Sequence, residues 1–212
     1  MSTALQKYLS LLWDTIFGRS CFFCGTAGEL LCSDCQALCD IALTHSIGRG
    51  RYYDDCYSAC SYRNRYVKKL IAAFKYEPFC RQLSKPLARL LVNHLEAVEN
   101  KNNFSSFTII PVPLSKQRRR WRGYNQSEEL ADELSAALGL PLDCRSLIRI
   151  KNTECQVGLS AEQRLTNVAK AFVCPIKNSV GSKNILLIDD VMTTGATMEE
   201  CAKISKENGA AA

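Results

Sequence analysis

Ile185-Leu-Leu-Ile188-Asp189-Asp190-Val-Met192-Thr193-Thr194-Gly195-Ala196-Thr197 is the most informative stretch of the chain. Four aliphatic residues without polar alternation predict a strand buried on both faces, as in a parallel sheet. That strand delivers Asp189 and Asp190 at its C-terminal edge, where open α/β sheets bind ligands. The small residues of the following turn let backbone N–H groups converge on a phosphate, and the start of the next helix adds a favourable dipole. The hydroxyls of Thr193, Thr194 and Thr197 supply further donors. Carboxylates beside such a pocket repel the phosphate, so they make sense if they serve sugar hydroxyls, or a cation, a short distance away. Ribose hydroxyls on the aspartates and a 5-phosphate on the turn describe a ribose 5-phosphate ligand. Successive strand side chains point to opposite faces, so the chain has to turn at Asp190 or one aspartate alone touches the ligand. The plain alternative is a solvated turn with a threonine cap. Neither G-x-x-x-x-G-K-[ST] nor a G-x-G-x-x-G after a strand is present, which sets aside the other common nucleotide loops.

Upstream, helices and strands alternate. Val67–Tyr76 and Leu83–Val98 read as helices, Glu99–Ser106 as a polar loop, and Phe107–Val112 as a short buried strand closed by Pro111 and Pro113. Asn125 can cap the next helix, with Glu128 placed to reach back to the cap amide. Leu130, Leu134 and Leu138 form its buried stripe, and Gly139 and Pro141 stop it. Tyr52, Tyr53, Tyr57 and Tyr62 suggest one or two strands between Arg51 and Tyr62. Ile150–Gly158 reads as a mobile loop, and a last helix runs from about Thr197 to Gly209. This order argues an α/β domain over residues 51–212. Such a domain would turn into another strand after the Gly209 cap, so a C-terminal strand is expected to be missing from it.

Residues 1–50 form a separate small module. Its first part places Leu5, Tyr8, Leu9, Leu12, Ile16 and Phe17 on one helical face, without the basic stripe of a membrane-surface helix. Then Cys21-x-x-Cys24-Gly25 and Cys32-x-x-Cys35 present four thiolates in two tight turns, a donor set for tetrahedral zinc. An iron–sulfur cluster is the alternative, and redox cysteines or core packing remain open. Cys39 is a possible substitute ligand. Cys56 and Cys60 read as core, and His45 and His94 as surface residues.

The 212 residues carry 27 Lys and Arg against 21 Asp and Glu, a net charge of +6 that permits a polyanionic partner without demanding one. A hydrophobic share of 47% with 23% charged residues excludes general disorder. Five of the twelve cysteines cluster between Cys21 and Cys39, which points to metal in a reducing cytoplasm rather than a disulfide framework. The longest aliphatic run, Ile185–Ile188, is far below the ~20 residues of a membrane span. Asp14 interrupts the apolar Tyr8–Phe17 segment and no small-residue cleavage site follows, so neither membrane insertion nor a secretory signal is expected. Lys116, Arg118, Arg119, Arg120 and Arg122 are interleaved with Trp121 and Tyr124, just before Asn125. This predicted loop suits single-stranded nucleic acid or plain solvent.

Asp189-Asp190-Val-Met-Thr-Thr-Gly-Ala-Thr197 resembles the signature that binds 5-phosphoribosyl 1-pyrophosphate (PRPP) in type I phosphoribosyltransferases. The cysteine pairs, Pro111-Val-Pro113, Arg122-Gly-Tyr-Asn-Gln-Ser127, and Gln156 with Arg164 and Asn167 narrow the resemblance to the ComF family, over the chain from Cys21 onward. That family combines a zinc ribbon with a phosphoribosyltransferase domain. Two features depart from it: further cysteine pairs of some relatives and the last strand are absent. The resemblance implies a type I phosphoribosyltransferase-like parallel sheet flanked by helices. It implies Asp189 and Asp190 as catalytic, Asp189–Asp190 and Met192–Thr197 as PRPP-binding, and the segment around Gln156 and Arg164 as a flexible loop closing over the site. It places the Lys116–Asn125 segment toward pyrophosphate, with Mg²⁺. It also implies a role in natural competence and DNA uptake, with single-stranded DNA and the uptake machinery as partners. Two functions stay open: phosphoribosyl transfer to an unknown acceptor, and a DNA-handling protein keeping the pocket as a sensor or relic.

Overall fold

The computed structural model describes residues 20–45, 48, 50–98, 104–152, 167–176 and 179–211. They divide into two units, one ending at Asp40 and the other beginning at Ile41. The N-terminal helix expected before Cys21 lies outside the described residues, as do Gln156 and Arg164.

In the first unit, the chain folds back on itself at Gly25, whose φ of +75° is the left-handed conformation glycine adopts freely. Its amide donates to the Cys21 carbonyl (2.9 Å), Cys21 N–H to Thr26 (2.8 Å), and Phe22 N–H to Leu30 (2.9 Å). A single-turn helix, α1 (Ser33–Ala37), follows with Cys32 at its N-cap. Cys21, Leu31, Cys35 and Cys39 are the buried residues among those described in this unit.

The second unit is α/β. Its elements are α2 (Arg65–Lys75), a 3₁₀ turn (Arg81–Leu83), α3 (Ser84–Ala97), β1 (Phe107–Pro111), α4 (Lys116–Arg122), α5 (Gln126–Leu138), β2 (Ile148–Arg149), β3 (Phe172–Val173), β4 (Asn184–Ile188) and α6 (Ala196–Glu207). β1 and β4 pair in parallel, from Phe107 opposite Asn184 to Pro111 opposite Ile188, and β2 pairs antiparallel with β3. The expected parallel sheet with flanking helices is therefore present as a small sheet. α5 packs on β1 and α3, while Val112, Leu147, Val168, Phe172, Val180 and Cys201 form one apolar core. Among the described residues no helix is long and apolar enough to cross a membrane.

Several local expectations need correction. Asn125 caps α5 by accepting from Ser127 N–H (3.3 Å), but Glu128 pairs with Arg119 (2.7 Å) instead of reaching back to the cap. Ser115 caps the basic segment, which forms the short helix α4 and stops at Gly123, with φ +80°. It is therefore a helix and not a loop. Residues 51–62 form no strand: Arg51 and Tyr52 donate their N–H groups to Glu199 (2.7 and 3.2 Å), and Cys60 makes an isolated antiparallel bridge to Ile41. Cys56 and Cys60 are half-buried rather than core. His94 is 1% exposed and donates its Nδ1–H to the Ala42 carbonyl (2.7 Å), and His45 stacks on Tyr57 at 4.0 Å while bonding Asp55 (2.9 Å). Both histidines are pieces of a polar cluster, not surface residues. In β4 only Ile188 is buried, and Asn184–Leu187 are half-exposed. Among the described residues no strand pairs with the edge away from β1, and an apolar cavity of about 330 Å³ lies along it.

Candidate functional site

β4 ends at Ile188, and the chain turns immediately through Asp189–Thr194 into α6. Gly195 caps that helix at φ +76°, and a Cβ there would sit 3.4 Å from the Tyr53 hydroxyl. A side chain at this position is therefore strained whatever its size. The turn opens on a cavity of about 880 Å³. Met192, Thr193 and Thr194 are exposed on its rim, while Gly195 and Ala196 are buried beneath. Gly195 itself offers no side-chain acceptor to the start of this 12-residue helix, and a helix start favours an anion.

Both aspartates line this cavity. Leaving the strand at Ile188 frees them from the opposite-face alternation that a regular strand imposes. One oxygen of Asp189 accepts from the Ser127 hydroxyl (2.9 Å) and from the Asp190 amide (2.9 Å). Burial and the adjacent Asp190 charge push the Asp189 carboxyl up to about 7, against Lys75 and Ser127, which favour its ionised form. Asp190 pairs with Lys75 at 2.8 Å, and its side chain is 8% exposed.

The basic helix divides. Arg118, Trp121 and Arg122 line the cavity together with Gln117. Lys116, Arg119 and Arg120 are exposed and do not line it. Tyr124 is buried, donating its hydroxyl to the Phe74 carbonyl (2.6 Å), and burial raises it to about 12. It cannot stack on a base, which corrects its assignment to the interleaved aromatic set. Asn125 is 2% exposed and spends its side-chain amide on the Val112 carbonyl (3.0 Å), so it braces the β1–α5 connection while its edge reaches the cavity. Trp121 is 58% exposed, with Phe79 edge-on (5.3 Å) and the Arg122 guanidinium 5.8 Å from its ring centre.

Lys75 and Arg149 complete the wall and were not legible in the sequence. Lys75 is the last residue of a helix, where a cation is ordinary. Arg149 lies in a two-residue strand whose flanks give no periodicity; burial and the nearby Arg118 charge depress its pKa. Ser127 stood inside a matching segment, but nothing marked its contact with Asp189.

In the other unit, Cys21, Cys24, Cys32 and Cys35 bring four sulfurs within 4.8 Å of one another. Cys24 and Cys32 are 3.6 Å apart, close to the about 3.8 Å edge of a tetrahedron with zinc–sulfur bonds of about 2.3 Å. Burial opposes ionisation of Cys21, yet N–H groups of Cys24, Cys32 and Phe23 outweigh it and bring the thiol down to about 6. Cys35 is raised by burial and by the other three thiols, a mutual repulsion that a bound cation relieves. The four cysteines can therefore hold a metal ion. Cys39 turns its thiol to the Cys35 carbonyl (3.7 Å) and stands outside the group, so it is no substitute ligand. The eleven described cysteines are all free thiols.

The chain is 36% identical over 142 residues to Competence protein F of Haemophilus influenzae, an alignment covering 66% of this chain and 62% of that protein. It is 41% identical over 105 residues to the DNA utilization protein YhgH of Escherichia coli K12, covering 49% and 45% of the two. Competence protein ComFC of Bacillus subtilis is 39% identical over 106 residues, 50% of this chain and 41% of that protein. The chain thus spans less than two thirds of the length of these relatives. No family model matches it, and no solved structure does.

Proposed function

We propose, given that the chain belongs to the ComF family, that its cavity binds PRPP and that it transfers the phosphoribosyl group to an acceptor. One observation carries the reading. Two carboxylates leave the end of a parallel strand and lead directly into a glycine-capped helix start, all facing one cavity with arginines on its wall. The domain then takes the type I phosphoribosyltransferase-like architecture over residues 51–212.

In this reading the amides and hydroxyls of Thr193–Thr197 bind the 5-phosphate. Asp189 and Asp190 accept the ribose hydroxyls, and their charge favours the oxocarbenium character that develops as the bond from C1 to pyrophosphate breaks. Arg118 and Arg122 offer paired donors to the departing pyrophosphate. The acceptor bonds to C1 and loses its proton. Mg²⁺ carried with the pyrophosphate would supply further neutralisation, and no side chain is assigned to it. The four-cysteine group is proposed as structural zinc, because four thiolates without neighbouring redox machinery favour that ion. The clustering of five cysteines between Cys21 and Cys39 fits a reducing cytoplasm.

A second reading draws on Trp121, whose exposed ring stands among cations beside Tyr76. That combination suits stacking and phosphate contacts along single-stranded DNA, and it accords with relatives named for competence and DNA utilization. Both uses can belong to one protein engaged with DNA-uptake machinery. Calorimetric titration with PRPP and Mg²⁺, followed by a pyrophosphate-release screen over acceptors, tests the first. In Asp189→Asn with Asp190→Asn, size is kept and charge removed, so PRPP binding should disappear while the fold persists. Unchanged affinity in that double variant removes the assignment.

A further inference from the structure

The start of α6 is gripped by residues that do not line the ligand cavity. Glu199, one turn into the helix, donates its N–H to the Gly195 carbonyl (2.9 Å) and closes the first turn. Its carboxylate serves a distant segment: Oε1 accepts from Arg51 N–H (2.7 Å) and Oε2 from Tyr52 N–H (3.2 Å). An acidic side chain in the first turn of a helix ordinarily serves the orphan amides of that helix. Here both oxygens hold backbone that lies 148 and 147 residues away in sequence. Bonds to an ionised acceptor are the strong kind, so the segment is firmly tied to the helix.

The tied segment meets the turn before α6 at two further points. Gly50 N–H donates to the Tyr53 carbonyl (3.2 Å), which folds residues 50–53 into a turn. A Cβ on Gly50 would overlap both the Glu199 carboxylate and the Tyr53 ring, so only glycine fits between them. Tyr53 brings its hydroxyl against Gly195, 3.4 Å from where a Cβ of that residue would stand. Cys56 places its thiol 3.4 Å from the Met192 thioether. Tyr53 and Cys56 line the apolar cavity beside β4 rather than the ligand cavity. The Met192–Gly195 backbone is therefore enclosed between the ligand cavity and this segment.

We propose that Glu199 is a positioning residue for the phosphate-binding turn: its carboxylate fixes the 50–53 turn, which sets Tyr53 against Gly195 and holds the Met192–Gly195 backbone in its binding shape. The inference rests on the PRPP reading for its ligand and adds to it a residue outside the cavity. Amides that converge on a phosphate have to be in place before the ligand arrives, because ordering a loose loop on binding costs affinity. The turn itself has small and exposed side chains, so its shape has to be imposed by neighbours.

The experiment titrates PRPP with Mg²⁺ calorimetrically into the full chain as wild type, Glu199→Ala, Glu199→Gln and Gly50→Ala, and follows amide hydrogen exchange in the same proteins. Glu199→Ala should weaken PRPP about tenfold. Gly50→Ala keeps the carboxylate but drives a methyl group against it, and should weaken binding to a similar extent. Glu199→Gln keeps an acceptor oxygen in the same place and should stay within about threefold of wild type. Exchange should quicken at Met192–Thr197 in the two alanine variants, while amides of β1 and α5 keep their wild-type rates. A carboxylate that is merely structural gives another pattern: exchange rises throughout the domain, the melting temperature falls, and the folded protein binds PRPP as wild type does. That pattern, or affinity unchanged in both alanine variants, overturns the role of Glu199 and leaves the cavity assignment standing. If Glu199→Ala does not fold, Gly50→Ala decides; failure of both to fold counts as the structural outcome. A wild-type chain that does not bind PRPP overturns the PRPP reading and this proposal with it.

Discussion

Asp189 is held by Ser127 and by the amide of Asp190, yet burial and the Asp190 charge still raise its carboxyl to about 7. The sign follows from linkage. A carboxyl raised in the folded state binds its proton more tightly there than in the unfolded chain, so stability is fullest below the unfolded pKa of about 4 and falls as pH rises toward the folded value. Asp189→Asn removes this titration. Urea midpoints of wild type and variant should therefore diverge between pH 4 and pH 7, with the variant gaining relative stability as pH increases. Parallel curves would mean that Asp189 is ionised throughout. The residue scale is also where sequence reading was most uneven. The acidic pair and the glycine were legible because their chemistry is local. His94 and Tyr124 were not: each is buried by partners about 50 residues away, Ala42 and Phe74, that no local pattern announces.

At the scale of elements, the long amphipathic helices were legible from periodicity, and β1 and β4 from short apolar runs closed by prolines or by the acidic turn. α4 escaped because seven residues with no buried side chain carry no periodicity. Its being a helix changes what each cation can do. Arg119 is engaged by Glu128, Arg118 and Arg122 face the cavity, and Lys116 and Arg120 are left on the exposed side. If the helix tracks single-stranded DNA, Lys116→Ala with Arg120→Ala should flatten the salt dependence by about 1.4 units, at about 0.7 per phosphate. Trp121→Ala should weaken binding by roughly 1–3 kcal/mol with little change of slope, because stacking releases no counterions. Fluorescence anisotropy with a short oligonucleotide at several salt concentrations reads both; absence of wild-type binding at low salt removes the DNA reading. The cysteine turns make an element of their own. Metal analysis of protein purified without chelator should give about one zinc per chain, and Cys24→Ser should unfold that unit by coupling metal loss to folding. Less than half an equivalent would argue against a structural ion.

For the molecule as a whole, the strand order explains where the second unit is vulnerable. β1 has β4 on one side and the Pro141–Asp143 segment on the other, where Ile109 donates to Pro141 (2.8 Å) and accepts from Asp143 (2.9 Å). β4 has β1 alone among the described residues, and its apolar Ile185–Leu187 run is half-exposed against the neighbouring cavity. Composition alone could not reveal this, because an aliphatic run reads as buried whether or not its second neighbour is present. An open apolar edge offers unpaired amides to solvent and to other chains. Hydrogen exchange should therefore be slow across β1 but split in β4, with the amides turned away from β1 exchanging fast. If those outer amides of β4 are protected even at high dilution, the edge is closed by another part of the protein and is not an exposed one.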